Sequence, residues 1–231
     1  MTFKVPRHVA IILDGNRRYA RKIGLQPWKG HEFGVKKLDD LLDWCLELGI
    51  KEITLYSFST ENFRRNKIEI NILFNIFKRE FNSIKYREEI FKNKIRINVI
   101  GRVDMFPKDI RKAMLEIMEK TKKHKNLIVN FAMAYGGRQE IVDAFKKIIK
   151  DSKKQNPKKI NENLIAKNLY LKSEPDLVIR PGGEIRTSNF LTWQSVYAEF
   201  VFLDKLWPEF TKEDLINCIQ EFNKRKRRFG K

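Results

Sequence analysis

Short apolar runs alternate with longer amphipathic stretches along the whole chain. Each run is too short to be a helix of its own and is bounded by polar residues, glycine or proline. Continuous runs of this length are typical of strands that are buried on both faces of a parallel sheet. The sequence therefore predicts six strands, at 8–13, 53–58, 95–100, 127–133, 176–180 and 199–202.

Apolar residues spaced three and four positions apart predict helices between these strands. The longest are Val35 to Leu48, which Gly49 ends, and Ile68 to Ile84. Shorter helices are predicted near Tyr19, at 107–118, 141–149 and 164–171, and in the basic C-terminal segment. Because strands alternate with helices, we expect an α/β fold in which helices flank a parallel sheet and the crossovers are right-handed.

The length of 231 residues favours a single domain that spans 1–231. The polar stretch Asp151 to Lys159 is the best candidate for a mobile loop, and it is too short to mark a domain boundary.

The first predicted strand stops abruptly at Asp14, and Gly15 and Asn16 follow it directly, before two arginines. A carboxylate at the end of such a strand, beside the start of a helix, lies where open α/β sheets bind ligands. Glycine and the N–H groups of a helix start favour a phosphate, and Asp14 could hold a Mg²⁺ that the phosphates share. The same residues also dominate ordinary turns, so a turn without a ligand is the alternative interpretation.

Polar loops follow several other strands, and the carboxyl ends of parallel strands meet at one edge of a sheet. Asp14, 59–65, 136–138 and 180–188 should therefore converge. In the last of these loops, Arg180, Arg186 and Ser188 surround a Gly-Gly bend and could clamp a phosphate, since guanidinium grips phosphate with two hydrogen bonds. A solvated basic loop is the alternative for this segment taken alone, and the convergence with Asp14 favours the clamp.

The composition is strongly basic, with 48 Lys and Arg against 29 Asp and Glu, a formal net charge of +19. Such a charge attracts nucleic acid, anionic membrane surfaces and polyphosphorylated substrates, and it does not choose among them. The two cysteines, Cys45 and Cys218, are far apart and form no CxxC pair, so neither a disulfide framework nor a zinc site is indicated.

Several signatures are absent from the sequence. Neither a GxxxxGK[ST] loop nor a GxGxxG turn occurs, and the three histidines, His8, His31 and His124, lack the spacing of metal ligands. Serine, histidine and aspartate show no nucleophile-elbow context. Because no signal peptide and no long uncharged apolar stretch are found, a cytoplasmic location is expected.

Three groups of residues, taken together, resemble the cis-prenyltransferases, whose type member is undecaprenyl diphosphate synthase. They are His8 with 14–16, Arg18 and Ala20; Ser57 to Phe63 with Arg65; and Asp176 to Ser188 with 189–191, Trp193, Gln194, Tyr197 and Glu199. The groups recur in order over nearly the whole chain. The resemblance implies a central, mostly parallel six-stranded sheet flanked by helices, a hydrophobic product tunnel, and a homodimer.

The resemblance also implies the reaction, the successive addition of isopentenyl diphosphate to an allylic diphosphate with a new cis double bond each time. By matching position, Asp14 is the essential carboxylate at a Mg²⁺–diphosphate centre, and Glu199 supplies a second Mg²⁺ contact. Asn62 is usually assigned the removal of a proton. Because an amide has almost no basicity, we expect Asn62 to orient the acceptor instead, such as a water or a phosphate oxygen.

The remaining site residues are carried over from the resemblance in the same way. The allylic diphosphate is expected to contact Gly15, Asn16, Arg17, Arg18, Tyr19 and His31. The substrate site is expected to be lined by Ser59, Thr60, Glu61, Phe63 and Arg65. The isopentenyl diphosphate is expected to bind Arg180, Arg186, Thr187 and Ser188. The tail, Arg228 to Gly230, resembles an Arg-x-Gly element that reaches the active site across the dimer.

Three positions depart from the family pattern. Tyr19 stands where bacterial members often carry tryptophan, which keeps an aromatic face. Pro27 replaces an arginine near the allylic diphosphate, and Ile185 replaces a histidine that can ligate metal. The metal would then depend on Asp14, Glu199 and the diphosphates, an arrangement that suits Mg²⁺.

The sequence thus predicts a Mg²⁺-dependent, homodimeric cis-prenyltransferase that makes a long-chain, undecaprenyl-type polyprenyl diphosphate for a glycosyl carrier lipid. Its primer is farnesyl or geranylgeranyl diphosphate, and a peripheral membrane contact would help product release, aided by the basic segment Lys224 to Arg228. A non-catalytic partner subunit is the first alternative, and the presence of Asp14 argues against it. A basic nucleic-acid-binding domain is the second, and we expect no nucleic acid among the partners.

Overall fold

A single six-stranded sheet forms the centre of the computed structural model, which describes residues 4–151 and 160–225. The strands lie in the order β3-β4-β2-β1-β5-β6, and every neighbouring pair is parallel. The strands are β1 (His8–Ile12), β2 (Glu52–Ser59), β3 (Ile95–Ile100), β4 (Leu127–Tyr135), β5 (Leu177–Pro181) and β6 (Glu199–Leu203). All six predicted strands are confirmed, and the sheet is wholly rather than mostly parallel.

Helices connect the strands as the alternating pattern predicts. They are α1 (Asn16–Lys22), α2 (Gly30–Leu48), α3 (Lys67–Ile84), α4 (Glu88–Lys92), α5 (Lys108–Thr121), α6 (Gly137–Asp151), α7 (Glu162–Asn168) and α8 (Lys212–Lys224). The left-handed Gly49 ends α2, as expected. The sequence did not indicate α4, because its five residues are too few to show an apolar period. The loop predicted at Asp151 to Lys159 and the tail Arg228 to Gly230 lie outside the described residues, apart from Asp151 itself.

The two faces of the sheet bury different amounts of apolar surface. Along β1, Val9 and Ile11 point into a large core shared with α2, α3, α5 and α8, while Ala10 and Ile12 point into a smaller cluster on the opposite face. Alternate residues of a strand point to opposite faces, so this division follows directly from the sequence of the strands. Cys45 lies in the large core at 1% exposure, and burial raises the pKa of its thiol to about 12.

The strand order changes direction beside β1. From β1 the chain crosses to β2 on one side of the sheet, and it later returns to place β5 on the other side of β1. The connections that leave β1 and β5 therefore diverge, which opens a crevice at the carboxyl ends of these two strands. Open α/β sheets bind ligands at such a point. Within the described residues, no helix combines the length and the apolar character that crossing a bilayer requires.

Candidate active site

A cavity of about 790 Å³ opens at the carboxyl edge of the sheet and extends beneath α2 and α3. Its mouth and its interior have different chemistry. The mouth is lined by residues of three of the four segments that were expected to converge, together with Gly15 and residues of α1 and α2: Asp14, Gly15, Asn16, Arg17, Arg18, His31, Ser59, Glu61, Asn62, Arg65, Arg180 and Ser188. Residues 136–138, the fourth expected segment, do not line the cavity. The interior is mostly apolar and includes Leu38, Leu42, Leu73, Ile76, Phe77, Phe81, Ile84, Ile90, Ile97, Phe131 and Met133.

Asp14 lies at the mouth between two guanidinium groups. Arg180 Nη2 donates to Asp14 Oδ2 at 2.8 Å, and Arg18 Nη2 lies 3.2 Å from Asp14 Oδ1. Arg180 is 4% exposed, so its charge has been removed from water and is compensated by this carboxylate. The predicted convergence of the β1 and β5 loops is therefore present in the fold.

Two glycines allow this close approach. A Cβ at Gly182 would lie 2.7 Å from Arg18 Nη2, and one at Gly15 would lie 2.9 Å from the Leu206 side chain. Both glycines also adopt a φ of 106°, which side chains disfavour. Trp207, fully buried, donates its backbone N–H to Asp14 O at 2.9 Å and its indole N–H to Gly34 O at 2.9 Å. The carboxylate is thereby fixed against α2 as well as β5.

Arg180 also holds the loop that follows β5. Its Nη1 donates to Ser188 Oγ at 2.9 Å and to the backbone oxygen of Arg186. Ser188 lines the cavity, whereas the Arg186 side chain is exposed and pairs with Glu184 at 2.5 Å. Thr187 is exposed on the same loop. The structure thus brings Arg180 and Ser188 to the mouth and leaves the side chains of Arg186 and Thr187 outside the cavity lining.

A short 3₁₀ helix, Thr60–Arg64, carries the polar residues that follow β2. Asn62 Oδ1 accepts the backbone N–H of Ser59 at 3.0 Å, and the Ser59 side chain accepts in return, which forms a capping box. The amide oxygen of Asn62 keeps a second lone pair, and Asn62 also lines the cavity. That Asn62 orients a proton acceptor rather than acting as the base stays a prediction.

Glu69, at the first turn of α3, gathers two guanidiniums and an imidazole at the mouth. Its Oε1 lies 3.0 Å from Arg65 Nη1, 3.1 Å from His31 Nε2 and 3.7 Å from Arg17 Nε. The hydrogen bond from His31 is the largest influence that lowers the pKa of Glu69; burial opposes it, and the charges of Arg65 and Arg17 reinforce it. Glu69 is 5% exposed and is held as a carboxylate.

Two predicted site residues pack elsewhere. The ring of Tyr19 lies edge-on against Phe33 of α2, with centroids 5.2 Å apart. Phe63 packs in an aromatic cluster with Phe58 and Phe106, at 4.9 and 5.8 Å. Both rings support the walls of the site rather than lining the cavity. Thr60 is half-buried, and its hydroxyl has no hydrogen-bond partner within the described residues.

The expectation that Glu199 supplies a second Mg²⁺ contact requires a correction within one protomer. It is the first residue of β6 and lies beside Leu177, the first residue of β5, at the amino end of the strands. Asp14 follows the carboxyl end of β1, at the opposite edge. Glu199 Oε2 accepts from Arg225 Nη1 at 3.1 Å instead. A parallel strand must begin at the edge away from the site, so the position carried over from the resemblance does not reach Asp14 within one protomer.

The donor set at the mouth fits a Mg²⁺ ion. Among residues 4–151 and 160–225, no group of three or more His, Cys, Asp or Glu side chains could hold a metal. Asp14 lies at the mouth with 29% of its side chain exposed, and each carboxylate oxygen has lone pairs beyond those used by Arg18 and Arg180. Mg²⁺ is commonly held by one or two carboxylates together with substrate phosphates and waters, which this arrangement allows.

The sequence analysis missed Glu69, although the pattern contained a signal for it. Glu69, Leu73 and Ile76 share one face of α3 at helical spacing, so an acid occupies the apolar stripe. A buried acid of that kind requires partners, and the partners here are cationic. Arg21 also lines the cavity and was not anticipated.

Comparisons with known proteins show the family. The family model "Putative undecaprenyl diphosphate synthase" matches residues 12–230. A tritrans,polycis-undecaprenyl-diphosphate synthase (geranylgeranyl-diphosphate specific) of Thermococcus kodakarensis is 49% identical, over 98% of this chain and 88% of that protein.

Two crystal structures share the fold over nearly their full lengths. Lavandulyl diphosphate synthase from Lavandula x intermedia, in complex with dimethylallyl diphosphate, has a TM-score of 0.92 and 33% identity, with 98% of both chains covered. "A probable undecaprenyl diphosphate synthase" from Campylobacter jejuni has a TM-score of 0.82 and 36% identity, with 99% of this chain and 100% of that chain covered. The chain belongs to the undecaprenyl diphosphate synthase family of prenyltransferases.

Proposed function

We propose that this protein is a Mg²⁺-dependent cis-prenyltransferase that adds isopentenyl diphosphate units to geranylgeranyl diphosphate. The product is a long-chain polyprenyl diphosphate of the undecaprenyl type, a precursor of glycosyl carrier lipid. The observation that carries the proposal is the polarity of the cavity. A carboxylate and several guanidiniums surround its mouth, and an apolar interior continues behind them.

The mouth suits two diphosphate groups. Arg17 and Arg65 meet at Glu69, and Arg18 and Arg180 meet at Asp14, with Ser188 bonded to Arg180. Guanidinium groups remain charged at all ordinary pH values and bind phosphate oxygens in pairs, so they hold a diphosphate without a proton transfer. A Mg²⁺ ion bound between Asp14 and the diphosphates would supply further stabilisation of the leaving group's negative charge.

The protein's own side chains position the reactants. Arg180 contacts Asp14, Ser188 and the backbone of Arg186 together, so one rigid group sets the spacing between the acid and the loop after β5. Holding two reactants in a fixed relation contributes several kcal/mol to catalysis, about 7–11 in the best-oriented cases. Asn62 presents N–H donors towards the same space, where they can orient an accepting oxygen.

The apolar interior suits a growing hydrocarbon chain. Residues of α3 such as Leu73, Phe77 and Phe81 form part of its wall, while the diphosphate end remains among the charges of the mouth. Burial of each CH₂ group contributes about 0.8 kcal/mol, so the product is held more strongly as it lengthens.

The choice of geranylgeranyl diphosphate as primer rests on the printed specificity of the Thermococcus relative. The homodimer, the cytoplasmic location and a peripheral membrane contact for product release belong to the same proposal. They are supported by the family and by the net charge of +19. Sedimentation of the purified protein and its binding to vesicles with and without anionic lipid test the dimer and the membrane contact.

Purified protein with Mg²⁺, radiolabelled isopentenyl diphosphate and a panel of allylic primers should yield extractable polyprenyl products. Geranylgeranyl diphosphate should be used with the highest kcat/KM, and EDTA should abolish the reaction. Asp14→Asn should reduce turnover by about 10²–10³-fold, the loss typical for a group that stabilises transition-state charge. Asp40→Asn, at an exposed carboxylate that pairs only with Lys37 on the surface of α2, is the matched control.

Full activity of Asp14→Asn would overturn the assigned role of that carboxylate. Failure of every primer with the unmodified protein would overturn the proposed reaction itself. Circular dichroism of each variant distinguishes loss of activity from loss of fold.

A further inference from the structure

A cluster of charged side chains lies at the end of the cavity that is farthest from the mouth. α2 and α3 both start at the mouth, near His31 and Glu69, and run away from it. Asp39 lies eight residues beyond His31, about 12 Å along α2, and Glu80 lies eleven residues beyond Glu69, about 16 Å along α3. Arg87, after α3, also lines the cavity.

These three residues, which we call the far-end latch, connect the two helices. Arg87 Nη2 donates to Glu80 Oε2 at 2.9 Å, and Arg87 Nη1 donates to Asp39 Oδ1. The side chains of Arg87, Glu80 and Asp39 are 31%, 20% and 57% exposed. The latch therefore lies where the gap between α2 and α3 reaches solvent.

The wall of the cavity changes character at this point. Leu42, Phe81, Ile84 and Ile90 line the cavity beside the latch and are apolar. A hydrocarbon gains free energy from burial against such residues, and it gains none against charged groups that water solvates. A chain that grows from the mouth is therefore stabilised by each added unit only until it reaches the latch.

We propose that the far-end latch limits the length of the polyprenyl product, with Arg87 as the residue that closes the gap between α2 and α3. This inference rests on the proposed function. Extension past the latch requires the chain to displace Arg87 from two carboxylates and to enter the solvated gap. Removal of Arg87 leaves Asp39 and Glu80 facing each other as like charges, which favours separation of the two helices there.

The chain offers a matched control in a second ion pair between the same two helices. Arg79 of α3 donates to Glu32 of α2 through two hydrogen bonds, at 2.7 and 3.1 Å. Neither Arg79 nor Glu32 lines the cavity. Arg79 Nε also donates to Glu80 Oε1 at 2.9 Å. Arg79→Ala therefore removes an interhelical pair and one neighbour of Glu80 while Arg87 still closes the gap, whereas Arg87→Ala removes the side chain that closes it.

The test compares product lengths by chromatography for the full-length protein, Arg87→Ala, Asp39→Asn and Arg79→Ala, with radiolabelled isopentenyl diphosphate, geranylgeranyl diphosphate and Mg²⁺. Arg87→Ala should shift the distribution to products at least one isoprene unit longer. Asp39→Asn should give a smaller shift in the same direction, because Glu80 still holds Arg87. Arg79→Ala should give the distribution of the unmodified protein.

An Arg87→Ala distribution that matches that of Arg79→Ala, or that moves to shorter products, would overturn the latch while the reaction itself stands. Should Arg87→Ala fail to fold, the isosteric Asp39→Asn decides by the same criterion. An unmodified protein that makes no polyprenyl product would overturn the proposed function and this inference together.

Discussion

Two buried glutamates, one on each side of the sheet, are held by opposite kinds of partner. Glu69, at the cavity mouth, contacts the guanidiniums of Arg17 and Arg65 and the imidazole of His31. Glu140, on α6, is 1% exposed and accepts from neutral donors. They are the Tyr135 hydroxyl, the Leu171 backbone N–H at 3.0 Å and the Gln194 amide at 3.1 Å.

The partners determine the protonation behaviour of each acid. Burial is the largest influence on Glu140 and raises its pKa, because none of its hydrogen-bonding partners is charged. At Glu69 the hydrogen bond from His31 and the nearby guanidiniums outweigh burial and lower the pKa. An acid among neutral donors connects structural segments, whereas an acid among cations orients groups that can also bind an anion. The comparison teaches that burial alone does not identify a functional carboxylate.

The largest expected effect belongs to Glu140→Ala. It leaves the Tyr135 hydroxyl and the Leu171 N–H buried without a partner, and each orphaned donor costs about 1–3 kcal/mol. We expect the free energy of unfolding to fall by about 2–5 kcal/mol in urea titrations. Glu119→Ala, at a side chain that is 69% exposed on α5, should change it by less than about 0.5 kcal/mol. If the folded fraction of Glu140→Ala keeps an unchanged KM for the allylic substrate, then Glu140 stabilises the fold without affecting substrate binding, in contrast to Glu69.

Glu69→Gln comes next in size and should act on binding. The amide keeps the volume of the side chain and loses the charge that aligns Arg17, His31 and Arg65. We expect the KM for the allylic diphosphate to rise about tenfold, equivalent to about 1.4 kcal/mol, with the KM for isopentenyl diphosphate little changed. Steady-state kinetics with each substrate varied separately measure this. A lower KM for the allylic diphosphate would mean that removing the negative charge of Glu69 matters more than aligning Arg17, His31 and Arg65. It would contradict the role that the comparison with Glu140 gives to Glu69.

The pH dependence of stability should differ in sign between the two acids. Because the pKa of Glu69 is lowered by folding, its contribution is present above the ordinary glutamate pKa of about 4.3 and is lost as the pH falls through the native value. Because the pKa of Glu140 is raised, its contribution is present below the ordinary value and is lost as the pH rises through the native value.

Free energies of unfolding as a function of pH test this directly. In Glu69→Gln, the free energy of unfolding should fall less on acidification than it does in the unmodified protein. In Glu140→Gln, it should fall less as the pH rises above the ordinary glutamate pKa. Acid limbs of equal slope in the unmodified protein and Glu69→Gln would contradict the assignment.

The smallest effect is expected at Ile185, which belongs to neither region. Its side chain is 80% exposed on the loop after β5. Ile185→Ala should therefore change the free energy of unfolding by less than about 0.5 kcal/mol in thermal melts. A larger loss would mean that this side chain is covered in the assembled protein.

The sequence was sufficient for the sheet and for the meeting of β1 and β5, and the reasons are physical. Continuous apolar runs such as 9–13 have one stable environment, a strand covered on both faces, and parallel strands place Asp14 and Arg180 at one edge. The five residues of α4 carry no period, so only tertiary contacts define that helix.

Side-chain direction could not be inferred in the same way. Tyr19 and Phe63 directly follow the cavity residues Arg18 and Asn62, and they pack against other aromatic rings instead of lining the cavity. Glu199 is close to Ser188 in sequence, and the crossover between β5 and β6 carries it to the opposite edge. Glutamate is usually exposed, so residue type alone gives no sign that Glu69 and Glu140 are buried. Only their positions within the apolar stripes of α3 and α6 indicate burial.

The first turns of α1 and α2 meet at two glycines that leave no room for a side chain. A Cβ at Gly30 would lie 1.8 Å from Asn16 O, and one at Gly34 would lie 2.3 Å from Asn16 Oδ1. In a saturation library, Gly30 should tolerate no replacement, even alanine, because the added carbon would meet backbone, whereas a replacement at Gly34 would displace the Asn16 side chain, which lines the cavity. Intolerance at Gly30 would then report the fit between two helices, and a mutational map read without the structure would misassign it to catalysis.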